Sequence, residues 1–325
     1  MYGGDYSFRT AASDNARRGT SFFLQALEEV APKRRFRCVL EVGCNDLYLL
    51  EQLKERADRR IGIDPVWAAR ESKNLLTNDL TVIGQAIEEV DLGSLLPEAP
   101  DLILCRHTLE HLFDPKAVIR RLLDIALPET ILLFEVPGVE ALLNRNRFDQ
   151  VFHQHLHYFG MDSLIGLLNE TGAELIASRC NYLDWGALLV AFRKGKPQAR
   201  PEPAFGFEEI RERYRLFQQQ ARTVAGEIES MHRERLFGYG AAQMLPVLNF
   251  HLGGALERLE AVLDDDWGKD GLFYQNVPLI IRHPSQVGSL RDSTLVLTAL
   301  DGFRSIMNRV LDLGPRHVVF PHSIL

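Results

Sequence analysis

Cys38-Val39-Leu40-Glu41-Val42-Gly43-Cys44-Asn45-Asp46 is the stretch that decides the fold. Residues 38–42 form a short apolar run interrupted by one acid, Gly43 breaks it, and Leu49, Leu50 and Leu53 return at helical spacing. That sequence of periods reads as strand, tight turn, helix. Working outward, Arg60-Ile61-Gly62-Ile63-Asp64 reads as a second strand ending in a carboxylate, and 80–83, 101–105 and 130–136 as further strands, with a helical pattern over 115–126. Upstream, Phe22, Phe23, Leu24, Leu27 and Val30 fall near helical spacing before Pro32. A helix over 161–171 and strands over 174–179 and 187–193 extend the same sheet. Strands alternating with helices predict an α/β fold on a parallel, doubly wound sheet.

The polar, proline-rich stretch 195–203 then separates two folding units. Beyond it Ile210, Tyr214, Phe217, Ala221, Val224, Ile228 and Met231 recur at steps of four and three, which marks one long amphipathic helix. A second βα series begins at Arg235, with strands expected over 236–240, 261–264, 277–281, 294–298 and 317–320. The expected organisation is therefore a ligand-binding domain over 1–194, a linker and long helix over 195–234, and a smaller Rossmann-like α/β domain over 235–325.

Composition narrows the class. The 325 residues are 46% hydrophobic and 25% charged, the balance of a globular protein, and the net charge of -7 provides no cationic field for nucleic acid. The first residues lack the apolar core of a signal peptide, and no stretch is apolar for long enough to span a bilayer, so a cytoplasmic protein with no membrane partner is expected. Cys38, Cys44, Cys105 and Cys180 are dispersed, without a C-x-x-C pair, so neither a zinc module nor a disulfide framework is expected.

The turn after the first strand is where a doubly wound sheet places its ligand. Gly43 lets backbone approach that ligand, and Asp64 ends the next strand at the spacing where a carboxylate accepts from ribose hydroxyls. A dinucleotide would require G-x-G-x-x-G, yet residues 43–48 read G-C-N-D-L-Y. An acidic turn carrying Glu41 and Asp46 suits S-adenosylmethionine, which has no phosphate and bears a sulfonium and an ammonium.

The residues Glu41–Asp46, Arg106-His107-Thr108-Leu109-Glu110-His111-Leu112, Glu135-Val136-Pro137 and Phe152-His153-Gln154-His155-Leu156-His157-Tyr158-Phe159 resemble the class I methyltransferases that C-methylate nucleotide-linked keto-sugars. The likeness continues through Gly238-Tyr239-Gly240-Ala241 and Val262-Leu263-Asp264-Asp265-Asp266. It implies a Rossmann-like methyltransferase domain followed by a second Rossmann-like domain, S-adenosylmethionine as cofactor, S-adenosylhomocysteine as product and a nucleotide-sugar as substrate. The zinc-binding cysteine module common in that family is missing from this sequence. By the same likeness Tyr2, Tyr6 and Phe8 belong to an aromatic segment over the methyl donor, the alternative being a frayed terminus. Gly43, Asn45 and Asp46 line the cofactor, Asp64 holds its ribose, Gly84, Gln85 and Ala86 border the adenine, and Arg106 and His107 stand at the carboxyl edge of the sheet.

C-methylation beside a ketone requires a base for the α-proton and a group to hold the enolate oxygen, tasks suited to histidine. The resemblance makes His155 the base and His107 the enolate partner, with His153, His157 and Tyr158 on the substrate. The family's glutamate and tyrosine before the base are here Gln154 and Phe152, and Leu47 replaces the glycine usual at the end of the cofactor turn. An amide cannot raise the basicity of an imidazole as a carboxylate does. Three readings follow: keto-sugar C-methylation, O-methylation of a sugar hydroxyl, or binding without turnover. Alternating imidazoles at 153, 155 and 157 would face one side of a strand as metal ligands, but no carboxylate or thiolate is close in sequence, so no metal is expected. In the second domain Gly238-Tyr239-Gly240 is half a nucleotide fingerprint or simple packing glycines. Tyr239, Gln243 and Asn249 are candidates by position for the nucleotide end of the substrate. Asp264, Asp265 and Asp266 read as a solvated loop.

Overall fold

In a computed structural model of the chain, residues 10–12, 14–68, 74–96, 98–182, 186–300 and 303–321 are described. They divide into two compact units. The first runs to Ala141 and includes His153–Ala204; the second comprises Leu142–Phe152 and the chain from Phe205 onward. The division departs from a boundary near 194 in two ways. The proline-rich stretch stays with the first unit, and 142–152 joins the second.

The strands of the first unit are β1 (Phe36–Val42), β2 (Ala57–Ile63), β3 (Asn74–Thr77), β4 (Leu80–Ile83), β5 (Leu102–Arg106), β6 (Ile131–Pro137), β7 (Ala173–Asn181) and β8 (Ala187–Lys194). They form one sheet in the order β3-β4-β2-β1-β5-β6-β8-β7. The pairs from β4 to β6 are parallel, and β3 and β8 run antiparallel to their neighbours. The fully parallel sheet expected from alternation fails at the edges for a simple reason. Only a few residues join β3 to β4 and β7 to β8, too few for a crossover connection.

Both faces of the sheet are buried. Cys38, Leu40 and Val42 of β1 pack into one cluster with Ile103, Cys105, Phe134 and the helix α3 (Pro115–Ile125). Phe36 and Val39 face the other, with Leu102, Leu104, Leu133 and helix α1 (Asp14–Val30). Such two-sided burial is why these strands read as near-continuous apolar runs. Helix α1 begins well before the Ser21 expected from periodicity, because its first buried positions are Ala16, Gly19 and Thr20 rather than large apolar residues. The remaining helices of this unit used below are α2 (Tyr48–Gln52) and α4 (Met161–Thr171); the latter stops at Gly172, whose φ of 78° supplies the left-handed cap.

In the order of strands, β1 lies between β2 and β5, so the chain leaves β1 in one direction and later returns on its other side. The crevice at the carboxyl ends of β1 and β5 is the switch point where open α/β sheets bind ligands.

In the second unit a sheet of strands β9 (Arg235–Tyr239), β10 (Ala261–Leu263), β11 (Phe273–Tyr274), β12 (Val277–Arg282), β13 (Ser293–Leu297) and β14 (His317–Val319) has the order β11-β12-β10-β9-β13-β14. The long helix α5 (Phe207–Ser230) buries Phe217, Ala221 and Ile228. Phe148 meets Tyr214 and Phe217 of α5 with ring centroids 5.1 and 5.7 Å apart, which explains why 142–152 belongs here. Among the described residues no helix is long and apolar enough to cross a membrane.

Candidate active site

The turn after β1 is held by its neighbour strand. Asn45 N donates to Asp64 Oδ2 at 2.8 Å, and Val66 N to Asp64 Oδ1 at 2.9 Å. Trp67 Nε1 donates to Asn45 O at 2.6 Å, and Asp46 accepts from Ala11 N at 2.8 Å. The loop is wound through left-handed backbone at Gly43 (φ 79°), Asn45 (φ 42°) and Leu47 (φ 69°). A Cβ on Gly43 would lie 1.9 Å from Thr108 Oγ1, so this position admits only glycine. Gly84 is required for another reason: a Cβ there would meet the backbone of Trp67 and Ala68 at 2.7 and 2.8 Å.

Leu47 tests the energetics of the departure noted in the sequence. Its left-handed backbone costs about 1–2 kcal/mol relative to glycine, while its side chain is buried and burial of a leucine contributes about 1.5–3 kcal/mol. Burial is the larger effect. Leu47→Gly is therefore expected to give no gain in stability, which a thermal melt of the two proteins checks.

A cavity of about 420 Å³ opens on this turn, lined by Glu41, Gly43, Asn45, Asp46, Asp64 and Ala86 among others. Its far wall includes Arg106, His107, Thr108 and His111, and the exposed ring of Phe113 stands at its lip. That volume lies within the range of small-molecule and cofactor sites. Glu41 is buried in β1, and its Oε2 accepts no hydrogen bond among the described residues. Burial raises its pKa to about 8, opposed by Arg106 and reinforced by Asp64 and Asp46. A buried acid with an unfilled acceptor, facing a cavity beside a left-handed turn, fits a cationic nucleoside such as S-adenosylmethionine.

Arg106 and His107 end β5, and both are fixed from the adjacent strand. Glu135 Oε1, on β6, lies 2.6 Å from Arg106 Nε and 2.9 Å from His107 Nε2. Arg106 also donates to Thr20 Oγ1 of α1 at 2.8 Å. His107 has left-handed backbone (φ 48°), and its Nδ1 lies 3.6 Å from Glu110 Oε1. Burial alone would depress the His107 pKa, but the Glu110 and Glu135 carboxylates overcome it and hold it at about 9. The imidazole is thus a cation clamped by two buried acids. Glu110 and Glu135 themselves resist the upward pull of burial because these cations hold them low.

The second histidine segment is irregular chain leading into α4, not a strand. It docks through the Glu110 carbonyl, which accepts from Leu156 N at 2.8 Å and His157 N at 3.2 Å. His111 Nδ1 lies 2.8 Å from the Gln154 carbonyl oxygen. His155 meets His111 edge-on at 4.9 Å and Tyr158 at 5.9 Å. Burial lowers the His155 pKa to about 4; Glu110 opposes the shift while His111 and His107 add to it. The three imidazoles do not share one face: His153 is exposed, His157 stacks on Phe159, and His155 meets His111.

Of the expected donor residues, the structure gathers Glu41, Gly43, Asn45, Asp46, Asp64, Ala86 and Arg106 around one cavity, together with His107. Gly84 serves the close approach to Trp67, Gln85 is exposed, and neither lines the cavity. Tyr2, Tyr6 and Phe8 lie outside the described residues. Gln154 contributes its backbone carbonyl, and Phe152 falls in the second unit.

Sequence reasoning missed Glu110, Glu135, Thr108 and Trp67 as parts of the site. The acids were visible inside the motifs quoted, but their pairing spans residues up to 29 apart.

In the second unit, Gly240 has φ 97° and Ala241 N donates to Asp264 Oδ2 at 2.9 Å, the same device that Asn45 and Asp64 use in the first. Gly238 is a packing glycine: a Cβ there would press on Leu259 and Thr298 at 3.1 Å. Tyr239 gives its hydroxyl to Asp265 at 2.7 Å, and Gln243 is exposed. Asn249 departs from its expected role. It is buried, and its amide accepts from Leu256 N and donates to Glu257, so it ties a loop rather than facing a ligand. Asp264 and Asp265 pair with Lys269 and Arg309.

The methyltransferase domain profile matches residues 13–178, half of the chain. The C-methyltransferase NovU of Streptomyces niveus is 26% identical over 230 residues, covering 62% of this chain and 52% of that protein. The ubiquinone biosynthesis O-methyltransferase of Pseudomonas savastanoi pv. phaseolicola (strain 1448A / Race 6) is 32% identical over 120 residues, 33% of this chain and 52% of the other. The chain thus spans about half the length of these curated relatives. Among solved structures, the N-methyltransferase NodS from Bradyrhizobium japonicum WM9 in complex with S-adenosyl-l-homocysteine has 17% identity and a TM-score of 0.44, over 58% of this chain and 92% of that one. By the match over residues 13–178 and the cavity at the switch point, the chain belongs to the S-adenosylmethionine-dependent methyltransferase family.

Proposed function

We propose that the protein methylates a nucleotide-linked sugar at a carbon beside a ketone, by way of an enolate. The observation that carries this reading is His107, a cationic imidazole held by Glu110 and Glu135 on the wall of the donor cavity. A fixed positive charge at that place stabilises an oxyanion as it forms, without reorganisation. The similarity to NovU, named a C-methyltransferase, supports the carbon acceptor.

When bound, S-adenosylmethionine supplies an electrophilic methyl on a sulfonium. The chain's own groups do the rest. Asp64 and the Gly43 turn seat the nucleoside, and Glu41 faces its cationic end. His155 takes the α-proton as the carbon–hydrogen bond breaks, and the His107 cation stabilises the charge that develops on the enolate oxygen. Bound S-adenosylmethionine would supply the methyl carbon that the α-carbon's electron pair attacks, a carbon–carbon bond forming as the methyl–sulfur bond breaks and S-adenosylhomocysteine leaves. In this reading the second unit holds the nucleotide end of the substrate.

One observation favours a second reading, O-methylation. Burial, with no neighbouring carboxylate at 154 to raise it, holds the His155 pKa at about 4 and makes it a weak acceptor for a carbon-bound proton.

Incubation with labelled donor and a panel of nucleotide-linked keto-sugars decides between them. Carbon-bound methyl in the product, with α-proton exchange in heavy water, is expected, and His107→Ala is expected to lower turnover about 10²–10³-fold. Oxygen-bound methyl without exchange supports the second reading. No product from any sugar, in a protein that binds S-adenosylhomocysteine, rejects both.

A further inference from the structure

Glu110, His111 and His155 each offer one ligand atom, and these three atoms lie within 4.8 Å of one another. Two imidazoles and a carboxylate form the donor set of open-sided transition-metal sites. Donors at 2.0–2.1 Å from a tetrahedral ion stand roughly 3.3 Å apart, so the three side chains would draw in modestly.

Two features of the cluster match what a ligand set requires. Glu110 is 1% exposed, and neither of its carboxylate oxygens accepts a hydrogen bond among the described residues. Its Oε1 stands 3.8 Å from His111 Nε2 and 3.6 Å from His107 Nδ1. The His107 cation offsets part of the cost of burying this carboxylate, and a bound metal ion would offset more. Next, His111 Nδ1 lies 2.8 Å from the Gln154 carbonyl. A carbonyl only accepts, so Nδ1 carries the proton and Nε2, the atom facing Glu110, keeps its lone pair. Metal-bound histidines are oriented by this kind of second hydrogen bond.

From this geometry we propose that Glu110, His111 and His155 bind a divalent transition-metal ion of the zinc type on the wall of the methyl-donor cavity. Of the three, His111 lines that cavity. Two imidazoles favour zinc, cobalt or nickel over magnesium or calcium, which take oxygen ligands. The sequence hid this set because its carboxylate and one imidazole come from the Leu109-Glu110-His111 turn, more than forty residues before His155. The inference goes beyond the proposed sugar chemistry and does not rest on it. Ion and proton compete for the lone pair of His155, so a loaded site would take His155 out of the base role.

The test uses the untagged 325-residue chain, stripped by chelator and titrated with Co²⁺ while its visible d–d absorption is recorded. Saturation near one ion per chain is expected, with loss of the bands in His155→Ala and in Glu110→Gln, and retention in His153→Ala, which alters an exposed neighbour. Calorimetry with S-adenosylhomocysteine on each variant reports separately that the donor site remains folded. No uptake by the wild-type protein overturns the inference, as does uptake that survives His155→Ala or is lost equally in His153→Ala.

Discussion

Replacing Glu135 by alanine is expected to lower the unfolding free energy by about 3–5 kcal/mol, the range for removing one partner of a buried ion pair. Glu135 is 1% exposed, and one oxygen serves both Arg106 and His107 at 2.6 and 2.9 Å. Its loss would leave two cations in the sheet, with Glu110 still near His107 but no carboxylate on Arg106. The pair is worth less than this figure, because much of the penalty is that of an uncompensated buried charge. A surface pair gives the contrast: Arg35 and Asp58 meet at 2.7 Å with both side chains more than half exposed, and Asp58→Ala is expected to change stability by less than about 1 kcal/mol. Urea unfolding of the two variants measures both. Equal losses would show that Glu135 is not the buried clamp described above.

The Gly43→Ala variant is expected to bind S-adenosylhomocysteine at least about a hundredfold more weakly, equivalent to 2.7 kcal/mol or more. Two effects combine. The new Cβ would lie 1.9 Å from Thr108 Oγ1, and φ 79° is a backbone region that alanine adopts at a cost of about 1–2 kcal/mol. The turn must then move, and with it the Asn45 amide that Asp64 holds. Adding Thr108→Ala removes the steric contribution but not the backbone one, so the double variant should recover affinity only in part. Full recovery would mean that the left-handed turn carries no strain, and no recovery would mean that Thr108 is not what the side chain meets.

Much of the first unit was legible because period and punctuation agree. The run that ends at Gly43, the helix over 161–171 and the strand at 80–83 all coincide with observed elements. In the second unit, β9, β10, β12, β13 and β14 lie within a residue of their expected spans. Start positions failed where small or polar residues occupy the buried face, as at Ala16 and Thr20 in α1. The two-residue strand β11 and the antiparallel edge β3 carry too little pattern to be seen.

The candidate site divides along the same line. Residues within one βα turn, from Glu41 to Asp46, could be placed from local order, since the turn and its ligand surface are one continuous piece of chain. Contacts made across strands could not. Nothing local says that Glu135 clamps Arg106, or that Gln154 serves through its carbonyl rather than its side chain. Leu47 was correctly marked as a departure, yet only the structure gives the reason: it occupies a glycine-like conformation and compensates by burying its side chain.

The central claim is that the acidic turn after β1 seats S-adenosylmethionine, and calorimetric titration of the full chain with S-adenosylhomocysteine tests it most directly. One site per chain is predicted, abolished by Asp64→Ala, which removes the acceptor for both Asn45 N and Val66 N. Absence of binding by a folded wild-type sample, or binding that Asp64→Ala leaves unchanged, would contradict it.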